Sequence, residues 1–281
     1  MKLVRYGAPG AEKPGMVDAD GQVRDLSSHV ADIAGAALGG AELARLAAID
    51  PVTLPVVEVE RYGPCVGAVG KFLCIGLNYS DHAAETGATV PTEPVIFTKA
   101  TSAIIGPDDN VEIPKGSTKT DWEVELGIVI GKTARYVDEA DALDHIAGYC
   151  VINDVSERAF QLERQGTWDK GKGCDTFGPI GPWLVTRDEV ADPTALGMWL
   201  EVNGHRYQDG STATMVYKPA FLVSYVSQFM SLQPGDVIST GTPPGVGMGQ
   251  KPPVFLKAGD VMELGIEGLG QQRQTVVACQ A

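Results

Sequence analysis

The sequence predicts an α+β, β-rich fold carrying a small N-terminal α+β module. Strand-like segments outnumber helical ones from residue 65 onward. They do not alternate regularly with helices, which argues against a doubly wound parallel sheet. Pro51, Pro55 and Pro64 punctuate an extended connector that sets off residues 1–64 from a larger domain spanning 65–281. In the module, Lys2–Tyr6 reads as a strand and Gly15–Leu26 as a hairpin with its exit. Ala31–Ala48 is Ala-rich with helical spacing, broken at Gly39-Gly40. In the larger domain, short β-branched runs predict strands at Phe72–Gly76, Val95–Lys99, Glu123–Ile130, Gly148–Asn153, Trp199–Val202, Val237–Thr240, Val261–Ile266 and Gln274–Ala278. Helices are expected at Val137–His145, Glu157–Gln165 and Lys218–Met230.

The 281 residues are 44% hydrophobic and 21% charged, an ordinary globular mixture with enough chain for a sizeable core. A formal net charge of -14 argues against nucleic acid or an anionic membrane as partner, since both require a basic face. Small anionic substrates stay open, because a bound cation can invert the local field. Five cysteines, none in a C-x-x-C arrangement, suit a reducing compartment and isolated core thiols. No apolar run approaches the ~20 residues of a membrane helix, and Met1–Gly7 does not open a signal peptide, so a cytoplasmic location is expected.

The segment Asp121 to Ile130 is the most informative. As a strand it points Glu123 and Glu125 to one face, with Cα atoms about 6.5–7 Å apart. Taken alone, E-V-E suits a half-exposed strand. Here Gly127 and Val129 continue the same face, and Val124, Leu126, Ile128 and Ile130 form the other. A strand apolar on both faces is buried on both, so the two glutamates are expected to enter a cavity, where a cation would relieve their repulsion and poor solvation. Asp154 ends the apolar run Gly148–Ile152 and could join them, or cap the next helix. Three oxygen ligands without Cys or His suit Mg²⁺, Mn²⁺ or Ca²⁺ rather than zinc.

Other polar groups read in two ways. His82 and Glu85 are three apart, so on a helical turn Glu85 could orient His82 as a general base; a solvated surface pair is the plainer reading. Lys172 sits in a Gly-rich loop that could bring it to an anion. Thr240 to Gly249 is Gly-rich but neither a phosphate loop nor a dinucleotide fingerprint, since no Gly-Lys-Ser/Thr follows and Lys251-Pro252-Pro253 prevents a helix. It could still offer backbone N–H groups and the Thr242 hydroxyl to a carboxylate.

Six segments together resemble the fumarylacetoacetate hydrolase family: G-L-N-Y-S-D-H (Gly76–His82), E-P-V-I-F-T-K (Glu93–Lys99), W-E-V-E-L-G-I-V-I-G (Trp122–Gly131), G-Y-C-V-I-N-D-V-S-E-R (Gly148–Arg158), K-G-C-D-T-F-G-P (Lys172–Pro179) and T-G-T-P-P-G-V-G (Thr240–Gly247). The resemblance implies a mixed β-sandwich roll and a homodimer or higher homo-oligomer. It implies Mg²⁺ or Mn²⁺ on Glu123, Glu125 and Asp154, and His82 with Glu85 as the water-activating pair. Lys172 and Gln161 match positions that meet the keto-acid end and the developing oxyanion. Lys99, Arg158 and Thr242 match further substrate-lining positions. Leu77 stands where acylpyruvase-like members often carry Arg, and Tyr217-Lys218-Pro219 is unusual for its position. The segment from Ser80 to Pro94 is expected to order over bound ligand.

The activity so implied is metal-dependent hydrolysis of a carbon–carbon bond in a 2,4-diketo acid. The N-terminal pattern resembles the branch acting on 2,4-diketo-3-deoxy-L-rhamnonate or -fuconate, with pyruvate and lactate as products. The alternatives are an acylpyruvase, an oxaloacetate decarboxylase, and, in a different class, a non-catalytic keto-acid-binding protein. A serine-nucleophile hydrolase is disfavoured, because there is no G-x-S-x-G elbow.

Overall fold

The computed structural model describes residues 1–81, 85 and 89–279. Among these, a mixed sheet runs in the order Val56–Val57, Val23–Asp25, Lys13–Val17, Lys2–Tyr6, Gly178–Thr186, Ile146–Asn153, Val124–Ile130, Val237–Ser239, Phe72–Gly76, Val95–Lys99, with Ile104–Ile105 parallel to Gly178–Thr186. Most pairings are antiparallel, while Val237–Ser239 and Phe72–Gly76 run parallel. A five-stranded sheet, in the order His205–Ser211, Gly197–Val202, Val261–Ile266, Gly270–Val277, Val111–Glu112, covers one face of the first sheet's centre. The result is the β-rich mixed sandwich that the sequence predicts.

The alternation of Val124–Ile130 explains why the sheet is buried on both sides. Val124, Leu126, Ile128 and Ile130 enter the core between the sheets, against Met198, Leu200, Met262 and Leu264. Val129 enters a second core on the opposite face, with Phe72, Cys74, Cys150 and Ile152. Glu125 shares the parity of Val129, so its carboxylate lies on that second face.

The first 64 residues build onto this frame. Lys2–Tyr6 pairs with Gly178–Thr186, and Leu3, Met16, Leu26 and Leu38 share the second core with Phe72 and Val129. The Ala-rich segment is a 3-10 turn, Gly35–Leu38, and a helix, Gly40–Ala47, parted at Gly39. Predicted helices are present but shorter: Glu139–His145 is 3-10, and the others span Arg158–Leu162 and Pro219–Ser227. Cys65, Cys74 and Cys150 are buried apolar residues, and no thiol among the described residues forms a disulfide. Among the described residues no helix is long and apolar enough to cross a membrane.

Candidate active site

The carboxylates meet because of strand register. Val124 pairs with Asn153 and Glu125 with Ile152, and the Asp154 amide donates to the Glu123 carbonyl at 2.9 Å. Glu123, Glu125 and Asp154 thus converge, each offering an oxygen within 4.8 Å of the others', and all three are buried. Asp154 does not cap the following helix. Glu157 does, accepting from the Ala159 amide.

Each carboxylate has a different set of partners. Glu123 accepts from Lys172 Nζ at 2.6 Å and from Arg158 Nη2 at 2.7 Å. Burial by itself would raise its pKa, yet these two cations hold the carboxyl below the ordinary glutamate range. Asp154 accepts from Lys172 at 2.8 Å and from Lys99. Glu125 accepts only neutral donors, Ser239 Oγ at 2.6 Å and the Gly241 amide at 2.8 Å, and forms no ion pair among the described residues. Burial, then Asp154 and Glu123, push its pKa well above the ordinary glutamate value.

The cationic side is equally built. Arg158 opens the helix Arg158–Leu162 and bridges Asp121 (2.8 Å) and Glu123, while its Nη1 donates to Gln161 Oε1 one turn on at 3.0 Å. Asp121 is in turn held by the Gly247 and Met248 amides. Lys172 ends the short helix Asp169–Lys172, which lies so close that a Cβ on Gly171 would sit 2.4 Å from the Glu157 carbonyl oxygen. Burial alone would lower the Lys172 pKa, but Asp154 and Glu123 raise it above the ordinary lysine value.

Glu123, Glu125, Arg158 and Lys172 face a cavity of about 210 Å³, while Asp154 and Asp121 are not among its lining residues. Its polar wall is Glu123, Glu125, Arg158, Gln161, Lys172 and Thr242, and its apolar wall includes Leu77, Phe97, Leu162, Trp168 and Met248. Gly241, at φ +98, takes the turn beneath Glu125, where a Cβ would lie 2.9 Å from Asn78 Cβ. Three converging buried oxygen donors, one with no cationic partner among the described residues, fit a hard divalent cation.

Residues 71–277 match the family model described as "Fumarylacetoacetate (FAA) hydrolase C-terminal". The chain belongs to the fumarylacetoacetate hydrolase family. The fumarylacetoacetate hydrolase of psychrophilic Exiguobacterium antarcticum is 36% identical with a TM-score of 0.87, over 99% of this chain and 100% of that one. Maleylpyruvate hydrolase from Sphingobium sp. SYK-6, solved with manganese(II) and pyruvate, is 29% identical with a TM-score of 0.81, over 100% of both chains. A relative from Burkholderia multivorans is 68% identical over 276 residues, 98% of each chain, and is named only provisionally, as a hydrolase.

Within this family member the sequence-predicted residues fall into distinct places. Glu123, Glu125, Arg158, Gln161, Lys172 and Thr242 line one cavity. The Thr242 hydroxyl also braces the frame, donating to the Val124 carbonyl and accepting from Gln208. Lys99 is fully buried on Asp154 and the Val155 carbonyl and is not among the cavity's lining residues. Glu85 Oε1 accepts from the Gly245 amide at 3.0 Å, which seats it against the Gly-rich loop. His82 lies outside the described residues, as do 83, 84 and 86–88 of the segment expected to order over ligand.

Asp121, Ser239 and Gln208 make hydrogen bonds around this site that the sequence did not single out. Asp121 had a partial signal in the D-x-E-x-E spacing of Asp121, Glu123 and Glu125, although it belongs to a separate short strand, Thr120–Asp121, paired with Ser156–Glu157. Ser239 lies 114 residues from Glu125, and Gln208 lies 84 from Val124 and 34 from Thr242, so no local pattern marks them.

Proposed function

We propose that this protein hydrolyses the C3–C4 bond of a 2,4-diketo acid, with Mg²⁺ or Mn²⁺ held by Glu123, Glu125 and Asp154. The observation that carries this reading is Glu125: a buried carboxylate within 4.8 Å of two others, with no ion-pair partner among the described residues. When bound, the cation supplies Lewis-acid stabilisation to the negative charge that develops on the pyruvate-forming half. Manganese and pyruvate in the Sphingobium relative support the same pairing of ion and product here.

The chain's own residues do the rest. Arg158, Lys172 and Gln161 present charged and amide donors to the keto-acid end and the developing oxyanion. A donor so placed is worth about 3–4 kcal/mol in such reactions. His82, oriented by Glu85, takes the proton of the attacking water, a role worth ~10²–10⁴-fold. Water adds at C4, the C3–C4 bond breaks, and the proton returned to C3 completes pyruvate while C4 leaves as a carboxylate. We expect the protein to work as a homodimer or larger homo-oligomer in the cytoplasm.

The sugar-acid tail expected from the N-terminal pattern and the acyl tail of an acylpyruvate share this keto-acid end. The apolar cavity wall favours the acyl tail. The test is a turnover screen of 2,4-diketo acids with Mg²⁺, reading pyruvate. Metal-dependent pyruvate release is expected, and no release from any of them sinks the proposal.

A further inference from the structure

The cavity is chemically two-sided. Gln161 and Thr242 stand with the carboxylates and their cations on its polar side, and apart from Gly76 and Gly241 the rest of its wall is Ile75, Leu77, Phe97, Leu162, Trp168 and Met248. Both basic residues on the wall are already committed. Arg158 bridges Asp121 and Glu123, and Lys172 bridges Glu123 and Asp154. The residues outside those described, 82–84, 86–88, 280 and 281, are His, Ala, Ala, Thr, Gly, Ala, Gln and Ala, so they bring no arginine or lysine. A second carboxylate at the far end of a substrate would therefore meet hydrocarbon and no uncommitted cation among the described lining residues, which is costly.

The apolar wall is also firmly built. Trp168 stands edge-on to Phe97 at 5.3 Å and lies against Gly76, where a Cβ would sit 2.4 Å from its ring. The Lys172 ammonium lies 5.1 Å from the Phe97 ring centroid, which ties this wall to the charged end. Leu77 lines the cavity at φ +54, a conformation unusual for a leucine, which the surrounding structure must enforce.

We infer that this wall selects a monocarboxylate whose tail is an uncharged hydrocarbon, aliphatic or aryl, and that Leu77, Leu162 and Trp168 determine that specificity. The inference rests on the keto-acid reading above and names the tail that reading leaves open. A hydrocarbon tail gains about fourfold in affinity for each buried methylene, at ~0.8 kcal/mol each.

Binding, which needs no bond cleavage, tests it. Calorimetry on the Mn²⁺-loaded protein compares 2-oxohexanoate with 2-oxoadipate, two acids of equal carbon count that differ in a terminal carboxylate. 2-Oxohexanoate is expected to bind at least ~10-fold tighter, and ~4-fold tighter than 2-oxopentanoate. Leu77→Arg should narrow or reverse the preference. Leu162→Arg, at a helix end where Leu162 is already 53% exposed, does the same should the first variant not fold. Equal or tighter binding of 2-oxoadipate by the unaltered protein overturns the inference, and so does binding of neither acid at millimolar concentration. The expected binding order without pyruvate release from any diketo acid upholds this inference and sinks the hydrolase reading alone.

Discussion

Exchanging Glu125 for glutamine removes one charge and leaves the side chain's shape. The amide oxygen can still accept from Ser239 and Gly241, so the turn beneath it should hold. Two unit charges 4.8 Å apart, at an effective dielectric of about 20, repel by about 3.5 kcal/mol. An ionised Glu125 meets that from both Glu123 and Asp154, softened where it takes up a proton. Without a cation, Glu125→Gln should therefore be more stable than the unaltered protein by about 1–3 kcal/mol, a rise of a few degrees in Tm.

The pH dependence has a definite sign. Burial and its two carboxylate neighbours raise the folded pKa of Glu125 above the ordinary 4.5, so the folded state holds the proton more tightly than the unfolded one. Its contribution is most favourable below 4.5 and is lost as pH rises toward the raised folded value. The advantage of Glu125→Gln should widen over that window and then level. Cation affinity should move the other way, falling at least ~100-fold, about 2.7 kcal/mol. Thermal unfolding in EDTA across pH and Mn²⁺ titration calorimetry read the two effects. A variant that binds Mn²⁺ as tightly as the parent, or that is less stable in EDTA, refutes the reasoning.

Three further outcomes are expected. Arg158→Ala leaves Asp121 and Glu123 buried without their shared guanidinium and should cost about 3–5 kcal/mol in urea unfolding, because broken buried pairs strand a charge. His82→Ala should lower kcat by ~10²-fold or more while Mn²⁺ affinity, read by calorimetry, stays within twofold; an unchanged kcat removes His82 as the base. Gly171→Ala must push the helix carrying Lys172 away from the Glu157 carbonyl, so kcat/KM should drop at least ~10-fold with far-UV circular dichroism retained.

Much of the frame was legible because strand periodicity is a local property. Phe72–Gly76, Val95–Lys99 and Val261–Ile266 were read to the residue, and the two-faced burial of the strand after Glu123 follows from alternation alone. The same alternation put Glu123 and Glu125 on one face. The strand Gly178–Thr186 was not legible, since Pro179 and Pro182 argue against a central position. The ladder accommodates it by a register break, pairing Tyr149 with Val185 and then Val151 with Gly181, so that Pro182 owes no ladder hydrogen bond.

Side-chain chemistry divides along the same line. Residue type and spacing nominated Glu123, Glu125 and Asp154, because a carboxylate inside an apolar strand is anomalous wherever the chain goes. Which cation answers which carboxylate was decided only by tertiary structure. Lys99 reaches Asp154 across 55 residues, Lys172 reaches Glu123 across 49, and Ser239 reaches Glu125 across 114. That is why Lys99 sits behind Asp154, why Arg158 needs Asp121 as well as Glu123, and why Glu125 alone of the three carries no positive partner among the described residues. A local pattern fixes which face a side chain leaves from; the partner it meets there depends on sheet order and register, which are set by the packing of the whole chain.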